Sequence, residues 1–247
     1  MLTPEFPDVV TLLRTYLGKR PRRGPFPLES AFTWSTLLSS QSASMLRGDM
    51  LEIGVEYGTS AFLMLESLMG DEHATFIDIA PKEEWRAGLN GPYSDKGNVQ
   101  FIEGNSLRMQ PGDMPSQCRW IHIDGGHLYK PVANDLLLTA DALAQDGVMV
   151  LDDFFEIRWP GVTAAILDFL KEDSRLTPFL LVNRKLYCTG HPEKAAAYQA
   201  MFAGFLETNR TLIGDPRWWL DVDMLGRRVV VAKLALGEDL CSLEAGS

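Results

Sequence analysis

The chain has 247 residues, a formal net charge of −10 and 46% hydrophobic residues. That is enough apolar material for one large α/β domain and too much for a disordered chain. The acidic balance excludes generic nucleic-acid binding, because phosphate contacts need clustered Lys and Arg. No run of about 18 apolar residues occurs, so no membrane span is expected. The start, MLTPEFPDVV, lacks the basic-then-apolar pattern of a secretion signal, and the expected compartment is the cytoplasm. Cys118, Cys188 and Cys241 are odd in number and widely spaced, so they read as reduced thiols and not as a zinc or disulfide framework.

In chain order, Phe6, Val9, Val10, Leu12, Leu13, Tyr16 and Leu17 recur at helical spacing. A Pro- and Gly-rich loop, Gly18 to Pro27, ends that helix. It contains the basic run Lys19, Arg20, Arg22 and Arg23, which reads either as a solvated loop or as a lid facing an anionic substrate. A second helix is expected from Leu28 to Ser40. Together these form an N-terminal helical cap, residues 1–47, ahead of a main domain, residues 48–247.

An alternation of strands and helices follows. Strands are expected at Met50–Val55, Ala74–Ile79, Val99–Glu103, Trp120–Ile123 and Gly147–Leu151. Helices are expected at Thr59–Met69, Val132–Leu143, Val162–Lys171 and Ala195–Glu207. Phe179–Cys188 and Arg227–Leu236 read as two further strands, and Trp218 and Trp219 fall in a loop. This alternation means a doubly wound, Rossmann-like parallel sheet. Such sheets bind ligands beyond the carboxyl ends of their strands.

After the first strand comes Glu52-x-Gly54-x-x-x-Gly58, with Tyr57 inside it and Thr59 and Ser60 opening a helix. Glycines let a backbone turn tightly against a ligand, and a helix start offers free N–H groups. The spacing differs from the G-x-G-x-x-G of dinucleotide sites, and a turn of this kind also serves packing alone. Asp78 ends the second strand, where an acid can accept hydrogen bonds from ribose hydroxyls or cap a helix. Asn105 and Ser106 follow the third strand, as an adenine contact or a turn. After the fourth strand stand Asp124 and His127 in IHIDGGHLYK, and after the fifth stand Asp152 and Asp153 in VLDDFF. Adjacent carboxylates at strand ends are costly unless neutralised. Asp124, Asp152 and Asp153 make an oxygen-rich set of the kind that suits a divalent cation such as magnesium, manganese or calcium. Each acid also has a plainer reading, as a helix cap or a cofactor contact.

Taken together, the Glu52/Gly54/Gly58 loop, Asp78, IHIDGGH and GVMVLDDF resemble the class I S-adenosylmethionine-dependent methyltransferases. The nearest likeness is to the branch with macrocin-type sugar O-methyltransferases and cephalosporin hydroxylase-like proteins, over about Gly48 to Leu170. The resemblance implies a seven-stranded sheet, six strands parallel and one antiparallel. It implies S-adenosylmethionine on Glu52, Gly54, Tyr57, Gly58, Thr59, Ser60, Asp78, Asn105, Ser106 and Asp124. It further implies a divalent cation on Asp124, Asp152 and Asp153, and His127 as the base that deprotonates a hydroxyl. The acceptor would be a small molecule, a sugar or natural-product scaffold. The N-terminal helices leave a homo-oligomer open. The alternatives are an NAD-dependent oxidoreductase or epimerase on a similar sheet, a metal-free methyltransferase, and a non-catalytic or partner-binding protein that retains the fold.

Overall fold

The five apolar runs between Asp49 and Leu151 form parallel strands: β1 (Asp49–Ile53), β2 (Ala74–Asp78), β3 (Val99–Glu103), β4 (Cys118–Ile123) and β5 (Leu143–Leu151). Four hairpin strands complete the sheet: β6 (Thr177–Val182), β7 (Lys185–Thr189), β8 (Trp218–Met224) and β9 (Arg227–Lys233). The helices are α1 (Phe6–Lys19), α2 (Leu28–Ala43), α3 (Thr59–Glu66), α4 (Glu83–Asn90), α5 (Tyr129–Thr139), α6 (Pro160–Glu172), α7 (Pro192–Thr208), α8 (Arg210–Ile213) and α9 (Glu238–Ala245). The structure is a computed structural model that describes residues 1–245.

The strand order is β3-β2-β1-β4-β5-β7-β6-β9-β8. The sheet has nine strands, not the expected seven. Two local features account for the difference. The apolar stretch Phe179–Cys188, expected as one strand, is a hairpin folded at Asn183-Arg184, whose φ angles are 50° and 63°. Two central residues with positive φ make the tight turn whose twist suits a two-residue hairpin. The segment with Trp218 and Trp219, expected as a loop, is strand β8, which pairs with β9 from Trp218↔Lys233 to Met224↔Arg227. Strands β7 and β8 run against the others, so two strands are antiparallel where one was expected.

Side chains alternate between the two faces of the sheet, as the period-2 geometry of strands requires. Met50, Trp120, Val148 and Val150 face a core shared with α1, α2, α3 and α7. Leu51, Ile121, Met149 and Leu151 face a second core covered by α5 and α6. The central strands are buried on both faces, which explains their near-continuous apolar runs. Helix α2 is buried on every side from Leu28 to Gln41. Its Trp34 ring meets Trp120 edge-on with centroids 5.0 Å apart, and its Gln41 Nε2 donates to the Arg119 carbonyl at 2.9 Å. Among the described residues no helix is long and apolar enough to cross a membrane.

One buried charge ties α2 to the sheet. Arg119 on β4 is fully buried. Its guanidinium donates to both Glu72 oxygens at 2.9 and 3.0 Å, to Gln41 Oε1 at 2.8 Å and to the Ser67 carbonyl at 2.7 Å. Removing one partner of such a pair strands the other charge away from water. Glu72→Ala is therefore expected to lower the unfolding free energy by about 3–5 kcal/mol. Urea denaturation measures this, and a loss below about 1 kcal/mol would mean that the Arg119 charge finds water or another partner.

Candidate active site

The loops that leave the carboxyl ends of β1, β4 and β5 each start on a backbone hydrogen bond to the neighbouring strand. Gly54 N donates to Ile77 O at 2.8 Å, Asp124 N to Ile53 O at 2.8 Å, and Asp152 N to Ile123 O at 3.0 Å. These bonds extend the ladder one residue past the strands and set the first site residues side by side. Gly54 has φ +93°, and a Cβ there would lie 2.0 Å from the Asp124 carbonyl oxygen. Gly58 has φ +81° and sits where a Cβ would strike the Trp85 ring at 2.6 Å. Only glycine tolerates both the left-handed backbone and the close approach.

Asp78 holds this loop. Its Oδ2 accepts the N–H groups of Val55 and Glu56 at 2.7 and 2.8 Å, and its Oδ1 accepts that of Ala80 at 2.7 Å. Glu52 turns inward instead. It is fully buried, accepts a hydrogen bond from the Ser60 hydroxyl, and meets His122 Nδ1 at 2.6 Å. Asn105 Oδ1 accepts the Leu107 N–H at 3.0 Å and caps the short turn after β3.

A cavity of about 600 Å3 lies over these strand ends. That is a size typical of small-molecule sites. Gly54, Tyr57, Thr59, Ser60, Asp78, Asn105, Ser106 and Asp124 line it, whereas Glu52 and Gly58 stand behind its wall. His127, Asp152 and Asp153 line it too. So do Pro25, Phe26 and Pro27 from the loop between α1 and α2. Three of the four basic residues of that run are engaged locally: Lys19 with Glu66 at 2.8 Å, Arg23 with Glu84 at 3.8 Å, and Arg20 with the Phe26 carbonyl at 3.3 Å.

The acids at the ends of β4 and β5 are divided between partners. His127 Nε2 lies 3.1 Å from Asp153 Oδ2 and 3.8 Å from Asp124 Oδ1. The Trp159 ring stacks on the imidazole with centroids 4.8 Å apart. The hydrogen bond to Asp153 raises the His127 imidazole above its ordinary value. Asp152 instead pairs with Lys185, whose side chain is buried and whose ammonium also lies over the Phe26 ring. Burial alone would raise the Asp152 carboxyl, but Lys185 and His122 outweigh it and hold it well below the usual carboxylate range. Loss of hydration and the charge of Asp152 push Asp124 well above that range.

Asp124, Asp152 and Asp153 thus do not gather as one ligand set. The donor atoms that converge within 4.8 Å of one another are those of Asp124, His127 and Asp153, and separately those of His122, Asp124 and Asp152. Several residues of the site escape the sequence reading: Lys185, His122, Arg158, Glu156 and Arg184. Asn183-Arg184 inside an apolar run is a readable signal for a hairpin turn, and the turn delivers Arg184 and Lys185 to the cavity. Nothing local marks His122, because a histidine in a strand reads simply as one more strand residue.

The fold is the α/β Rossmann-like methyltransferase fold. Residues 51–154 match the family model described as a methyltransferase domain. The chain thus has the methyltransferase fold and, over less than half of its length, a segment similar to that domain. No curated protein matches the sequence. Among solved structures, the chain is similar to the O-methyltransferase NovP, with a TM-score of 0.58, 15% identity, and coverage of 73% of this chain and 97% of that one. It is also similar to the SAH-bound methyltransferase PaMTH1 of Podospora anserina, with a TM-score of 0.52, 18% identity, and coverage of 74% and 87%. A third, cofactor-bound Rv0187 from MTB, has a TM-score of 0.54, 16% identity, and coverage of 75% and 90%.

The contact between Gly54 and the Asp124 carbonyl gives a direct test of how the site is held. Gly54→Ala forces a left-handed alanine, a strain of roughly 1–3 kcal/mol, besides the clash. The variant should melt at a lower temperature. An unchanged melting temperature would show that the ends of β1 and β4 can part freely.

Proposed function

We propose that this chain transfers the methyl group of S-adenosylmethionine to a hydroxyl oxygen of a small molecule, a sugar or natural-product scaffold. The observation that carries this reading is one cavity that joins two sets of residues. The glycine loop and Asp78 stand at one end, and His127, Asp152 and Asp153 stand at the other. The small cavity and the acidic chain favour a small-molecule acceptor over nucleic acid.

The residues present fit the cofactor. The loop from Gly54 to Ser60 offers free N–H groups at the start of α3, and Asp78 keeps acceptor capacity on Oδ1 for a ribose hydroxyl. When bound, S-adenosylmethionine supplies a methyl group on a sulfonium, already activated for transfer. The protein's share is then to orient the acceptor oxygen and to remove its proton. His127 is placed for the second task. With Nε2 donating to Asp153, the basic lone pair lies on Nδ1, and the stack on Trp159 fixes the ring plane. Asp153 stabilises the imidazolium that forms.

A second reading includes the divalent cation expected from the sequence. The converging donors of Asp124, His127 and Asp153 favour it. Bound there, a cation would acidify the acceptor hydroxyl, and His127 would serve as a ligand and not as the base. Asp152 is committed to Lys185, which favours the metal-free reading of that carboxylate.

Two measurements separate these readings. Titration calorimetry should show one S-adenosylhomocysteine bound per chain, and EDTA should leave both this binding and methyl transfer to a hydroxylated acceptor intact. Loss of transfer with EDTA, restored by magnesium, would give His127 to the metal. His127→Ala should slow transfer by about 10²–10⁴-fold, the usual worth of a general base, while cofactor affinity stays within about twofold. An unchanged rate would remove His127 from the chemistry.

A further inference from the structure

Two arginines stand in the acceptor half of the cavity, and neither has a part in the scheme above. Arg158 lies on the loop between β5 and α6, and Arg184 lies at the tip of the β6–β7 hairpin. Both grip the same carboxylate. Glu156 is 7% exposed; its Oε1 accepts from Arg158 Nε at 2.9 Å and its Oε2 from Arg184 Nη1. The two turns that carry them are also joined through the backbone, Phe154 N donating to Arg184 O at 2.9 Å.

The charges on this wall do not balance. Two guanidinium groups share one carboxylate, so one positive charge is left over. Neither nearby aspartate contacts the spare guanidinium donors, because Asp152 meets Lys185 and Asp153 meets His127 instead. A guanidinium has five N–H donors, and each of these gives one to the Glu156 side chain. Among the described residues, the remaining donors of both have no protein partner. Held in place from behind, with a planar fork left open towards a cavity, such a pair is pre-organised for a bidentate oxoanion.

We propose that Arg158 and Arg184 form an anion clamp, so that the acceptor carries an oxoanionic group, a phosphate or a carboxylate, within reach of the hydroxyl that is methylated. This rests on the methyltransferase reading for the position of the acceptor. The clamp adds selectivity to it: neutral polyols lack the group that it binds, and Trp159 beside it offers a flat apolar face to the rest of the acceptor.

The test uses the full chain saturated with S-adenosylhomocysteine, titrated by calorimetry with phenyl phosphate and, separately, with benzoate. At least one of these anions should bind the wild type. The R158Q/R184Q variant should bind it about tenfold or more weakly, as expected for the loss of one charged hydrogen bond. S-adenosylhomocysteine affinity should hold within about twofold. R158K, which keeps the charge and loses the fork, should lose less than R158Q. If the double variant does not fold, R158Q alone carries the test, since Arg158 sits exposed on a loop. Which anion binds more tightly identifies the group as phosphate or carboxylate. Binding of neither anion, or equal binding by wild type and variant, overturns the clamp while the cofactor reading stands. A wild type that does not bind S-adenosylhomocysteine overturns the cofactor reading itself, and with it the acceptor's place.

Discussion

The parallel ladder between β1, β2, β4 and β5 continues one residue beyond the strands, and the site depends on that extension. The amides of Gly54, Asp124 and Asp152 bond to Ile77, Ile53 and Ile123 at the ends of the adjacent strands. The first residue of each of these three loops is therefore placed by the sheet and not by the loop. This is why Gly54 can press against the Asp124 carbonyl, and why groups far apart in sequence share one cavity about 600 Å3 in volume. A loop tethered at its first residue starts from a fixed position, so little ordering cost remains for catalysis to meet.

Electrostatics is the second constraint. Parallel strands bring Asp124, Asp152 and Asp153 to neighbouring ends, where unpaired carboxylates would repel one another and lose hydration. The protein supplies its own cations. Lys185 arrives from the hairpin turn onto Asp152, His127 meets Asp153, and His122 lies between Glu52 and Asp152. Burial would lower the His122 imidazole, but Asp152 and Glu52 outweigh it and lift it to about 9. Asp152 and Asp153 thus each have a cationic or imidazole partner of their own, while Asp124 stands between them without a close one.

Much of this was readable from local pattern. The five parallel strands, the glycine loop and Asp78, Asp124, His127, Asp152 and Asp153 follow from apolar runs that end in glycine or acid. The end of the chain was less readable. Phe179–Cys188 is apolar but for Asn183, Arg184 and Lys185 and reads as one strand, although Asn183-Arg184 folds it into a hairpin. Trp218 and Trp219 follow a Gly-, Asp- and Pro-containing stretch that reads as loop, although pairing with β9 makes them strand. Both differences have one cause. A hairpin strand gains its hydrogen bonds from a partner, so its existence depends on pairing that no single segment displays.

The sequence alone determined the parallel α/β order and the set of residues at its strand ends, because strand period, glycine placement and helix spacing are local properties. Only the tertiary structure decided how those residues pair. It placed Asp152 with Lys185, Asp153 with His127, and Arg158 and Arg184 on Glu156. The physical reason is that charges choose partners by distance and burial, and both are set by the packing of segments far apart in the chain.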